Sequence, residues 1–179
     1  MNYDDVLSFW FEEIDSSKWW VKDADFDRLI EDRFLDLHGQ ANRCELFEWR
    51  SSAKGRLAEI IVLDQFSRNI FRDTPEAFLS DPLALALSQE AVRLGQQHEL
   101  TQIERSFLYM PYMHSESLKI HDVALQLYRD NGIQSNFDFE VKHRSIIERF
   151  GRYPHRNSIL GRGSTAEEVE FLAQPGSSF

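Results

Sequence analysis

This sequence predicts an all-α fold, an irregular stack of antiparallel helix pairs numbering roughly eight helices. Three observations carry the prediction. Apolar residues recur at helical spacing through most of the chain. No stretch alternates apolar and polar residues as a half-buried strand would. The 8 glycines and 5 prolines stand like punctuation between the periodic stretches. With 179 residues, 42% hydrophobic and 13% aromatic, the chain fills one core and is short for two, so a single helical domain over residues 1–179 is expected.

The elements follow in order. Val6, Phe9, Trp10 and Ile14 form the first apolar stripe, and Phe26, Leu29, Ile30, Phe34 and Leu37 form the second. The segment from Leu57 to Phe71 is apolar on nearly all sides, which marks a helix buried at the centre of the body. Leu83, Leu87, Ala91 and Leu94 make a further stripe, with Asp81 placed as its cap and Pro82 at its first helical position. Capping-box spacing marks three more starts: Thr101 with Glu104, Ser135 with Asp138 in a weaker acidic form, and Thr165 with Glu168. Pro111 has no N–H to give the carbonyl of Phe107, so the helix there should kink or end. Asn131-Gly132 closes the helix of Ile120, Ala124, Leu127 and Tyr128. Residues 117 to 150 read as an αα-hairpin the size of one tetratricopeptide unit, without a second copy at that period.

Charge and cysteine content narrow the partners. A formal charge of −10 and a pI near 5.0 oppose affinity for nucleic acid or anionic lipid. No apolar run approaches the ~20 residues of a membrane span, so neither nucleic acid nor membrane is expected as a partner. The single Cys44 permits no intramolecular disulfide and MNYDDVLSFWFEE has no cleavable signal, which together point to the cytoplasm. Against this acidic background, residues 141–157 hold Arg144, Arg149, Arg152 and Arg156 together with Lys142, His143 and His155. Arg and His concentrated in one segment are suited to holding an anion or moving a proton.

Polar residues on apolar faces supply the candidate site. Asp64 and Arg68 lie in the middle of the face made by Leu57, Ile60, Ile61 and Phe71, one turn apart. They read either as a buried structural ion pair or as part of a ligand site. Gln65 and Asn69 sit together on the adjoining flank. His143 projects from the face of Phe139, Ile146, Ile147 and Phe150, as a satisfied core histidine or as an acid–base group. Glu140, Arg144, Glu148 and Arg152 form an i, i+4 ladder expected to face solvent, and Arg149, at the edge of the buried stripe, ranks above Arg144 as a ligand contact. His114 and Glu116 follow the break at Pro111, and the turn GRYPHRN presents Arg152, His155 and Arg156.

Other chemistries lack their motifs. Gly161 to Thr165 has neither the spacing nor the lysine of a phosphate-binding loop and reads as a capped turn. The His-x-Glu spacing of His114 and Glu116 lacks the paired cysteines of the zinc deaminases. There is no zinc-protease, serine-hydrolase, dinucleotide or calcium signature, so no metal or cofactor is expected.

The longer motifs resemble a bacterial family catalogued as domain of unknown function 924. They are VLSFWFEE, KWWVKDADFD, FEWR, GRLAEIIVLDQFSRNIFRDTP, FLYMPYMHSES, HRSIIERFGRYPHRNSILGR and STAEEVEFLAQPGSSF, running from Val6 to Phe179. The resemblance implies an all-helical, tetratricopeptide-like fold and no particular activity, so it assigns no catalytic residues. Its motif segments, Leu63 to Arg72, Tyr109 to Glu116 and His143 to Asn157, are the segments already marked on physical grounds.

Three functions are therefore in view. The first is a pocket for a small anionic ligand, a carboxylate or phosphate. Arg68, Arg149 and Arg156 would supply donors, Gln65 and Asn69 would orient the ligand, and Asp64 would fix Arg68. The second adds acid–base catalysis by His114 or His143 with Glu116 as partner, in a hydrolase or lyase. The third is a peptide or protein interaction module, its groove lined by Phe9, Trp10, Phe11, Trp19 and Trp20.

Overall fold

The computed structural model describes residues 1–177, among which there is no β-strand. Helix α1 (Tyr3–Ser8) starts from Asn2, whose side chain accepts the Asp5 amide while Asp5 caps in return. A π-helical turn, Phe9–Glu13, and a 3-10 turn, Ser16–Trp20, lead to α2 (Ala24–Asn42), where Asp23 accepts the amides of Asp25 and Phe26. Helix α3 (Ala53–Ile61), a π-helical turn (Val62–Phe66) and α4 (Ser67–Ile70) continue into one another as a single rod. Then come α5 (Asp81–Arg93), α6 (Gln102–Met113), α7 (Leu118–Asn131), α8 (Gln134–Phe150) and α9 (Ala166–Leu172).

The rod from Ala53 to Ile70 is central because its sequence from Leu57 onward is apolar on nearly all sides. Leu57, Ala58, Ile60, Ile61, Val62, Leu63 and Phe66 are fully buried, and α1, α2, α5 and α6 all pack on it. Beyond it α5, α6, α7 and α8 pack each on the next, joined by turns in which Gly95 (φ 75°) and Gly132 (φ 80°) take the left-handed conformation that ends a helix. No helix among the described residues is long and apolar enough to cross a membrane.

Several boundaries differ from expectation. Helix α5 begins one residue early, with Ser80 at the cap position and Asp81 inside the first turn, because the Asp81 carboxylate is drawn to arginines instead of to the helix backbone. Helix α6 runs through Pro111 and ends at Met113. The ring removes one hydrogen bond, and the packing of a nearly all-buried helix carries the chain two residues further. The Ser135–Asp138 box does not form: α8 starts at Gln134 after Ile133, with no side-chain cap. The Thr101–Glu104 and Thr165–Glu168 boxes form in full.

Most of the aromatic start is core. Phe9 and Trp10 are buried against Phe26, Phe66 and, for Trp10, Phe107. Trp20 is exposed but stacks on Phe107. The expected solvent-facing ladder on α8 is also broken at its first rung. Glu140 is 0% exposed and turned to His121 of α7, whereas Arg144 pairs with Asp122 and Glu148, and Arg152 with Glu168.

Candidate functional site

The site forms where the central rod meets the ends of α5 and α6 and the 3-10 turn Pro154–Arg156. The π-helical turn adds a residue to the helical circuit and carries Asp64 and Gln65, both buried. Such turns are uncommon and concentrate at functional positions. Asp64 Oδ1 lies 2.8 Å from Nδ1 of His114, the residue that closes α6, and Asp64 Oδ2 accepts the side-chain amide of Gln65 at 2.6 Å. Arg68, one turn along, donates to the Asp64 carbonyl at 2.7 Å and reaches its carboxylate at 3.4 Å. Its stronger partner is Asp81, bound through both terminal nitrogens at 2.9 Å each.

Arg156 completes the group. It is 6% exposed. It donates to the carbonyl of His114 at 3.0 Å and reaches Asp81 at 3.4 Å, and its Nε has no hydrogen-bond partner among the described residues. The guanidinium lies over the ring of Phe78, 4.6 Å from its centroid. A buried guanidinium so loosely bonded has donor capacity that its neighbours do not use. Beside these residues is a cavity of about 330 Å³, within the ordinary range for a small-molecule site. Asp81, His114, Glu116 and Arg156 form its polar wall, and Phe78, Leu79, Pro82, Leu85 and Leu160 supply most of the apolar one. A depression of about 370 Å³ near Asp15, Lys18 and Asp23 is larger, but its ionisable groups are a lysine and acids, with no histidine and no arginine.

The electrostatics favour one protonation pattern. Burial would raise the Asp64 pKa, but its interaction with His114, the Arg68 charge and its hydrogen bonds prevail and hold it below the usual carboxylate range. Burial, reinforced by Arg68, holds His114 below the ordinary histidine value despite the opposing pull of Asp64. At neutral pH Asp64 is thus an acceptor and His114 a neutral ring. The proton of that ring sits on Nδ1, facing Asp64, and the lone pair is on Nε2. His114 Nε2 has no protein partner among the described residues, and the ring lines the cavity.

Five of the residues marked from sequence, Asp64, Gln65, Arg68, His114 and Arg156, come together. Glu116 also lies on the cavity wall, but its carboxylate is held by Arg162 at 2.7 and 2.9 Å and by the Tyr153 amide at 2.7 Å, so the partner of His114 is Asp64. His155 stands beside Tyr153, ring centroids 5.5 Å apart, and burial next to Arg156 brings its pKa down to about 4. His143 is a core residue: Nδ1 donates to the Phe139 carbonyl at 2.8 Å, and burial brings its pKa down to about 3. Asn69 is turned away to Asp27 of α2, which also holds Arg72. Arg149 lies apart on the surface, paired with Glu167 and resting on Phe150, because the edge of the α8 stripe faces α9 and not the rod.

Sequence patterns alone did not reveal the roles of Asp81, Tyr153, Arg162 or the buried pair of His121 and Glu140. Their partners lie on other elements, at separations no helical wheel displays. Among the described residues no group of three His, Cys, Asp or Glu side chains is placed to hold a metal ion.

Residues 6–176 match the family described as bacterial protein of unknown function (DUF924). The chain belongs to that family. A solved structure of a protein of unknown function from Agrobacterium tumefaciens is 40% identical, with a TM-score of 0.91 and 96% of each chain covered. No curated protein matches. The two proteins thus share this helical body, and the chemistry of the site has to be argued from its residues.

Proposed function

We propose that this DUF924 protein binds a small anionic molecule, a carboxylate or phosphate, in the cavity between α5, α6 and the 154–156 turn, and performs acid–base chemistry on it as a hydrolase or lyase. The observation that carries this reading is the Asp64–His114 contact at 2.8 Å on the wall of a cavity. An ionised carboxylate on Nδ1 fixes the tautomer and orientation of the ring and leaves Nε2 as the base, the arrangement on which histidine catalysis generally depends. A depressed pKa keeps His114 unprotonated at neutral pH, ready to take a proton. Arg156 supplies the charge that would attract the ligand and steady negative charge developing on it, while Arg68 stays committed to Asp81 and Asp64. The interaction-module reading has less support, because Phe9, Trp10, Phe11 and Trp19 belong to the core or pack against it, which leaves Trp20 alone exposed of the five residues meant to line its groove.

The test begins with thermal shifts of the protein against a panel of small carboxylates and phosphate esters, followed by turnover assays on whichever compounds stabilise it. Arg156→Ala should abolish the shift. His114→Gln should keep it and lower turnover about 10²- to 10⁴-fold, the range for loss of a general base. Turnover unchanged in His114→Gln would defeat the catalytic role. A panel that stabilises neither the wild type nor His114→Gln would defeat the pocket.

A further inference from the structure

His114 is held by more than Asp64. It ends α6, where the last carbonyls of a helix have no partner within the helix and must find one elsewhere. Here three consecutive carbonyls are each taken by a side chain from beyond the helix, two of them from the turn at 153–156 and one from α7. The Met113 carbonyl accepts the Tyr153 hydroxyl at 2.5 Å, the His114 carbonyl accepts Arg156 at 3.0 Å, and the Ser115 carbonyl accepts His121 Nε2 at 2.8 Å. The donors are themselves fixed. His121 Nδ1 lies 2.6 Å from Glu140 Oε1, and His121 Nε2 also lies 3.2 Å from the Tyr153 hydroxyl. His121 and Glu140 are completely buried and Tyr153 is 1% exposed.

The chemistry of this group admits one donor pattern at the backbone. A carbonyl only accepts, so His121 must carry a proton on Nε2 to satisfy Ser115, and the tyrosine must point its own proton at Met113. His121 keeps that proton whether Glu140 faces Nδ1 as carboxylate or as acid. Burying a glutamate and a histidine costs free energy that apolar residues would not, and the three residues together leave Glu140 Oε2 without a hydrogen-bond partner. Holding one end of one helix accounts for the expense, because a base displaced by ~1 Å loses much of its effect.

We infer that Tyr153, His121 and Glu140 are positioning residues for His114, clamping the carbonyls on either side of it so that its ring keeps its Nδ1–H on Asp64 and its Nε2 on the cavity. This rests on the reading of His114 as a base. It adds that the base is set by two buried layers, Asp64 acting on the ring and the Glu140–His121–Tyr153 group acting on the backbone. None of the three lines the cavity itself; Tyr153 reaches only the residues of its wall, its amide on Glu116 and its ring under Arg156, so they act through their neighbours and not on a ligand.

The experiment is nitrogen NMR of the histidine rings in the whole protein, with no ligand added, comparing wild type, Asp64→Asn, Tyr153→Phe and Glu140→Gln. Wild-type His114 should show the Nδ1–H tautomer at neutral pH. Tyr153→Phe removes one hydroxyl and keeps the ring, so the fold should survive, and the minor tautomer of His114 should rise several-fold while the exposed His98 is unchanged. Glu140→Gln should move His114 in the same direction. A wild-type His114 that is protonated, or carries its proton on Nε2, would overturn the role of base proposed above. A wild type that behaves as expected, with Tyr153→Phe and Glu140→Gln leaving the His114 tautomer untouched, would overturn the positioning role alone. Should Glu140→Gln fail to fold by circular dichroism, Tyr153→Phe decides the matter by itself.

Discussion

Asp81 shows how one carboxylate can govern a site without being the reactive group. It binds Arg68 through two hydrogen bonds and holds Arg156 more loosely, so it neutralises charge on both guanidiniums at the cavity wall. Asp81→Asn keeps the shape and removes the charge. Arg68 would retain only Asp64 at 3.4 Å, and Arg156 would retain no carboxylate among its hydrogen-bond partners. Breaking a pair this buried leaves an uncompensated charge, which costs about 3 kcal/mol. Urea denaturation at neutral pH should register the loss as a lower midpoint with an unchanged slope. A change under about 0.5 kcal/mol would mean that the pair behaves as a solvated surface contact. The same residue marks the limit of reading sites from sequence. Asp64 and Arg68 were visible because one helix displays both on a face that should be apolar. Asp81 beside Pro82 looked like a cap, and only the folded chain shows that its carboxylate crosses to another helix.

At the scale of elements, the central rod owes its position to close approach as well as to apolar surface. Gly55 lies in the first turns of α3, where a Cβ would stand 2.1 Å from the carbonyl oxygen of Trp49. Helix propensity alone favours Gly55→Ala by about 1 kcal/mol. The clash is with backbone and not with a movable side-chain tip, so the 3-10 turn Phe47–Ser51 would have to shift, and with it the Arg50–Glu59 pair. Overpacking of this kind costs about 1–3 kcal/mol, and the net effect should be destabilising. A thermal melt in which Gly55→Ala is more stable than wild type would show that the turn yields freely. Helix existence was legible throughout because burial imposes a 3.6-residue period on apolar residues. Boundaries were legible where a side chain caps the backbone directly or where a glycine ends the helix, as Gly132 does. Thr101 and Thr165 are such caps, whereas Ser135 sits inside a helix that starts without any side-chain cap. The π-helical turn had no signature at all, since its five residues Val62–Phe66 satisfy the same apolar pattern as an ordinary turn. The site it carries was therefore recognisable by its residues and not by its geometry.

The molecule as a whole keeps most of its histidines neutral, and this sets its response to acid. Burial is the leading cause in each case: it lowers His38 and His114 below the ordinary value, His155 to about 4 and His143 to about 3. An unfolded chain protonates these rings near their ordinary pKa of about 6.5. Between there and the folded values the unfolded state binds more protons than the folded one, so stability present above pH ~6.5 is lost as the pH falls. His143 and His155 together would remove on the order of 2–4 kcal/mol by pH 5. Glu140 works in the opposite sense. Burial raises its pKa, so the folded state takes up its proton first, and its contribution grows as the pH falls through that raised value. Asp64 and Glu104, held below the carboxylate range against their own burial, lose their contributions only at lower pH still, so in the window from 6.5 to 5 the histidines are opposed by Glu140 and not by these two. Chemical denaturation at pH 7, 6 and 5 should therefore show a steady fall in stability, and His143→Gln should reduce its slope by as much as one proton. Stability that stays flat from pH 7 to 5 in wild type and in Glu140→Gln alike would mean that the rings take up protons within the folded state. His114 would then be charged at the pH where it is needed as a base, so this titration bears on the chemistry of the site as directly as on the stability of the body that holds it.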